Sequence, residues 1–143
     1  MLKRLQTLLA GLWLGQMFCV AALVAPSAFA MLERNQAGVL MRRVFELDAQ
    51  FSLAAGLVLV LMARRLQRDG ESVRTLTVDL ILPLAALLST VAGYYALQPY
   101  MEAARAGQGA MSFGALHAIS SVFYAIKGLA VLALAWRLSR RTS

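Results

Sequence analysis

Residues 5–32 contain no charged side chain, and neither do the stretches between Asp79 and Glu102 and between Arg105 and Lys127. A helix needs about 20 mostly apolar residues to cross the hydrocarbon core of a bilayer at 1.5 Å rise per residue. Each of these stretches meets that length. A fourth apolar stretch, from Ala49 to Ala63, is shorter and reaches spanning length only by taking in the turns that begin near Val44. Spans are therefore expected at 5–30, 44–63, 76–97 and 113–136. Composition agrees, since 60% of residues are hydrophobic and 15% charged, against about 45–50% and about 25% for an ordinary soluble domain. Too few polar residues remain to cover a small globule in water. Lipid is the solvent these side chains fit. Cys19 is the only cysteine, which excludes a disulfide scaffold.

Charge placement orients the spans, because cytoplasmic segments near span ends carry the excess of Lys and Arg. Lys3 and Arg4 precede the first span, Arg64, Arg65, Arg68 and Arg74 follow the second, and Arg137, Arg140 and Arg141 follow the last. These nine basic residues fall on one side. Arg34, Arg42, Arg43 and Arg105 fall on the other, offset by Glu33, Glu46, Asp48 and Glu102. Both termini are expected in the cytoplasm. The net charge of +7 is then a topology signal plus attraction to anionic lipid head groups. No basic face with base-stacking aromatics appears, so nucleic acid is not an expected partner. Ala28-Phe29-Ala30 has the form of a signal-peptide cleavage site, but the preceding apolar run is much longer than the usual 7–15 residues, and the segment is read as a retained span. Short links, with Asp69-Gly70 as a turn signal, predict an all-α, up-down four-helix bundle forming one domain over residues 1–143.

The last span carries a polar stripe. At 100° per residue His117, Ser120, Ser121, Tyr124, Lys127 and Gly128 fall within an arc of about 120°, and the opposite side is apolar. Polar groups facing hydrocarbon are costly, so the stripe is expected to face into the bundle. The plain role for its hydroxyls is helix-to-helix glue. Lys127 needs more, because an ammonium at mid-span costs at least about 2.5–3.5 kcal/mol. Asp79 is the expected partner, reached by a snorkelling Lys stem; a proton or substrate site, or snorkelling to the inner surface, are the other readings. His117 sits about one turn inside the outer surface, and Glu46 and Asp48 are expected to approach it. Glu46 also shares a helical face with Arg42 and Arg43, either of which can occupy it.

One histidine cannot supply bis-His haem ligation or a zinc cluster. Soft coordination remains open: Met31, Met41, Met101 and Met111 map to the outer end near His117, and thioethers suit Cu(I). Thioethers are also common gap-fillers. No cofactor is assigned. No P-loop, G-x-S-x-G, H-E-x-x-H or C-x-x-C motif is present, so no catalytic residue is assigned either. Gly11 and Gly15 form a small-x-x-x-small pair expected to permit close helix approach. Pro26 and Pro83 are expected to kink or end local helix, and Tyr94, Tyr95, Tyr100 and Trp136 suit interfacial belts.

The string Gly11-Leu12-Trp13-Leu14-Gly15, followed by Val24-Ala25-Pro26 and Phe29, then Ala37-Gly38 and Val44-Phe45, and finally Phe113-Gly114-Ala115-Leu116-His117-Ala118-Ile119-Ser120 resembles the transmembrane-protein-205-like family. Its bacterial members are four-span membrane domains of unknown function. This sequence departs from the family pattern after Ser120, holding Val122, Phe123 and Tyr124 where an Asn is usual. The resemblance implies a small polytopic protein of a bacterial inner membrane with unassigned activity. Three functions are compatible with these residues. One is a transporter or permeability factor, as monomer or homo-oligomer, in which His117, Lys127, Asp79 and Glu46 handle protons, ions or a small solute. The second is a non-enzymatic accessory or assembly protein, and the third a metal- or haem-handling protein.

Overall fold

A computed structural model describes residues 1–69 and 76–142. Four helices dominate it: α1 over Leu2–Met31, α2 over Arg34–Asp69, α3 over Val78–Arg105 and α4 over Phe113–Thr142. All four are long and apolar enough to cross a membrane, and no strand occurs among the described residues. Gly70 and Arg74, of the link between α2 and α3, lie outside the described residues.

The helices run past the expected spans. The 36 residues of α2 extend about 54 Å at 1.5 Å per residue, well beyond a hydrocarbon core of about 30 Å. Its first ten residues, Arg34 to Arg43, are thus helix where the apolar pattern marked only a link. Propensity and i,i+3 pairing can carry a helix through polar sequence, whereas hydropathy reports only the part that meets lipid.

Two helices contain a π-helical turn, Val20–Val24 in α1 and Val91–Tyr95 in α3. Each precedes a proline, Pro26 and Pro99. A proline ring clashes with the carbonyl four residues before it, here Ala22 and Tyr95, and both carbonyls lie within the widened turns. Neither Pro26 nor Pro83 ends its helix. The first is absorbed by the π turn, and Pro83 sits buried inside an uninterrupted stretch of α3.

Each helix packs on two neighbours, in the cyclic order α1, α2, α3, α4. Side-chain pairs fix the directions: Trp13 with Ser52 and Gln16 with Asp48 make α1 and α2 antiparallel. Asp79 with Arg137 and Gly93 with Ser120 do the same for α3 and α4. The result is an up-down bundle with one core around Trp13, Ala55, Leu59, Ala86, Val131 and Leu134, and a smaller cluster of Val20, Ala28, Ala37 and Met41. Leu12, Phe18, Leu61, Leu88, Val122, Leu129 and Leu132 point outward. A soluble bundle would put its charged residues there; a lipid-facing one puts leucine.

Gly56 and Gly93 are the glycines that close approach demands. A Cβ on Gly56 would lie 2.6 Å from Leu87, and one on Gly93 would lie 2.3 Å from Phe123 Cβ. Gly11 and Gly15, expected at a helix contact, meet nothing within 4 Å and lie on the outer face of α1. The rotation of α1 that buries Ala10 and Trp13 turns Gly11 and Gly15 away from the core.

Candidate functional site

The centre of the bundle holds a buried ion pair. Asp48 of α2 and Lys127 of α4 are each 3% exposed, with Lys127 Nζ 2.8 Å from Asp48 Oδ2. They belong to helices that face each other across the diagonal, so the pair spans the middle of the bundle. Asp48 lies inside because its stripe on α2 continues as Ser52, Ala55, Leu59 and Ala63, all buried and spaced at helical period. Lys127 is likewise in line with Val131, Leu134 and Leu138.

Hydrogen bonds close around the pair. Lys127 Nζ also donates to Ser52 Oγ at 3.1 Å and lies 4.5 Å from the Tyr124 ring centre. Trp13 Nε1 donates to the same Ser52 oxygen at 3.1 Å, so both lone pairs of that hydroxyl are occupied. Gln16 Nε2 donates to Asp48 Oδ1 at 2.8 Å. Tyr124 donates its hydroxyl to the Met17 carbonyl at 3.1 Å, and the same oxygen lies 3.5 Å from Asp48 Oδ1. Phe45 packs edge-on against Tyr124. One atom is left over: the buried Oε1 of Gln16 has no hydrogen-bond partner among the described residues.

Lys127 therefore pairs with Asp48 and not with Asp79. Asp79 is held by Arg137, with Nε 3.2 Å from Oδ1, and by Arg141 at Oδ2. The reason is depth. Ten residues separate Lys127 from Arg137, a rise of about 15 Å, which exceeds the reach of a lysine stem. Arginines at the level of Asp79 take it instead.

The polar stripe of α4 divides. Ser120, Tyr124 and Lys127 face inward, and Ser120 donates to the Gly93 carbonyl in the π turn of α3 at 2.7 Å. His117 and Ser121 lie on the exposed flank. The His117 ring stacks on Phe113, with centres 5.9 Å apart and planes 13° apart, and Ser121 donates to the His117 carbonyl. Neither expected carboxylate meets the imidazole. Glu46 is engaged by Arg43 at 2.8 Å, one of the two pairings open to it, and Asp48 is committed to Lys127. Glu46 instead lines a groove of about 350 Å³ between α2 and α3 with Arg42, Gln50, Tyr94, Tyr95, Gln98 and Glu102.

Met31, Met41, Met101 and Met111 do not share one environment. Met41 and Met101 are buried, Met31 and Met111 exposed. Among the described residues no group of three His, Cys, Asp or Glu side chains is placed to hold a metal ion.

Trp13, Gln16 and Ser52 are site residues that sequence reasoning passed over. Ser52 had a signal, being one helical turn from Asp48 on the same face. Gln16 had a weaker one, as one of two glutamines in a span without charged residues. Trp13 had none beyond its central position.

No curated protein and no solved structure matches the chain. A family model does match residues 8–110, so α1 from its seventh residue, α2 and α3, with the Asp48 half of the pair, fall within it, and Lys127 beyond it. The chain belongs to the family described as a domain of unknown function, DUF4149.

Proposed function

We propose that this is a small multi-pass protein of the bacterial inner membrane with both termini cytoplasmic, related to the transmembrane-protein-205-like family, and that it acts as a non-enzymatic accessory or assembly component. The observation that supports this reading is the closure of the Lys127–Asp48 pair. Its charges are matched within the bundle by groups from α1, α2 and α4, and neither residue lines the groove between α2 and α3. An ionisable row that a carrier would offer to its cargo is here engaged in joining helices. Buried pairs of this kind are best attested as devices that fix register. Reconstitution tests it. Proteoliposomes should collapse a pH gradient or a small-ion gradient no faster than protein-free vesicles; flux that Asp48→Asn abolishes would replace this role with transport.

Transport is kept as a second reading on one observation, the unpartnered Gln16 Oε1 beside Asp48. A buried acceptor without a donor is a place where a water, a proton carrier or a small solute gains a bond. Intramembrane ionisable groups are also common on ion and proton pathways. The same flux measurement, repeated with Gln16→Leu, separates the two.

A further inference from the structure

At the arginine-rich end of the bundle a cavity of about 60 Å³ lies between α1, α3 and α4, lined by Lys3, Gln6, Asp79, Leu138 and Arg141. That is more than a single water requires. Gln6 is 1% exposed, and its Nε2 has no hydrogen-bond partner among the described residues. A buried amide donor left unmatched is costly, so this wall of the cavity lacks an acceptor. Asp79, which holds Arg137 and Arg141, makes no hydrogen bond to it. Lys3 forms no ion pair among the described residues. The lining thus carries two cations, Lys3 and Arg141, and one carboxylate that Arg137 also holds. A water would satisfy Gln6 and leave the excess positive charge uncompensated.

We propose that this cavity is a binding site for a phosphate oxyanion, supplied by the phosphodiester of an anionic phospholipid. Position favours the lipid source. Lys3 and Gln6 lie in the first two turns of α1 and Arg141 in the last turn of α4, at the end of the spans where head groups sit. Basic pockets between helices at this level are suited to anionic head groups. An ammonium and a guanidinium provide charge, and the buried amide provides a directional donor. The inference goes beyond the accessory role and needs only that the helices span a bilayer.

The test compares two substitutions of equal charge. The full chain is reconstituted in nanodiscs of mixed phosphatidylglycerol and phosphatidylcholine, then released for native mass spectrometry to count retained lipid. Wild type should retain phosphatidylglycerol over phosphatidylcholine. Lys3→Gln should reduce that retention about fivefold, and Arg4→Gln, which lies outside the cavity lining, should leave it unchanged. Equal losses in the two variants, or no loss in Lys3→Gln, would overturn the site in favour of diffuse attraction. A second arm titrates inorganic phosphate into protein held in pure phosphatidylcholine discs. Thermal stabilisation there that Lys3→Gln removes, without phosphatidylglycerol retention, would overturn the lipid source. Gln6→Leu should match Lys3→Gln; if it fails to fold, the exposed Lys3 and Arg4 pair still decides the outcome.

Discussion

Asp48 and Asp79 are both gripped by cations of α4, one at the centre of the bundle and the other at its arginine-rich end. Asp48 is almost wholly enclosed and its partner Lys127 equally so, whereas Arg137 and Arg141 are partly open. Coulombic attraction in the enclosed pair acts through a medium of low polarisability, but both ions have lost their hydration. The open pair keeps some water and is screened by salt. The lesson is that the central pair contributes little while intact and costs much when halved. The end pair changes little either way.

Halving the central pair is the largest expected effect. Lys127→Met should destabilise the fold by about 3–5 kcal/mol by leaving a carboxylate buried without its counter-ion. The double variant with Asp48→Asn should recover most of that loss in a thermal melt followed by size-exclusion chromatography. Equal losses in single and double variants would mean the two residues do not interact. Next comes Gly93→Ala, whose Cβ would meet Phe123 at 2.3 Å; overpacking at such a contact costs about 1–3 kcal/mol, measured by the same melt. A bulkier residue tolerated there would show that α3 and α4 are further apart.

Trp13→Phe keeps most of the buried ring but removes the donor to Ser52. A loss of about 1 kcal/mol is expected, and no loss would place that bond outside the energetics of the site. Asp79→Asn should cost at most about 1 kcal/mol, and less as salt is raised. A loss as large as that at Lys127, or one insensitive to salt, would erase the contrast between the two regions. Smallest of all is Gly15→Ala, which meets open space and should stay within about 0.5 kcal/mol of wild type. A marked change there would reveal a contact made by the outer face of α1.

Much of the central site was legible, but not its pairing. Lys127 announced itself through the cost of a mid-span ammonium, and Tyr124 and Ser120 through their place on its face. Asp48 was visible as a carboxylate near the entry to the second span, yet it was paired in expectation with His117. Helical phase alone could have corrected this, since Asp48, Ser52, Ala55 and Leu59 form one buried stripe. The choice of Asp79 for Lys127 failed because a rule of matched sides ignores depth: two residues in the same half of a membrane can still be 15 Å apart along the helices, by the rise of about 1.5 Å per residue. His117 failed for a related reason. An arc of 120° is wide enough to include both the face in contact and its flank, and only the neighbours decide where contact ends.

Four helices and their apolar character follow from the order of side chains, because hydropathy and helical period are local properties that each segment carries by itself. Which aspartate meets which cation, which glycines are crowded and where an amide is left without a partner were decided by assembly. These depend on the rotation and axial offset of one rod against another, and many residues far apart in the chain set those two quantities together.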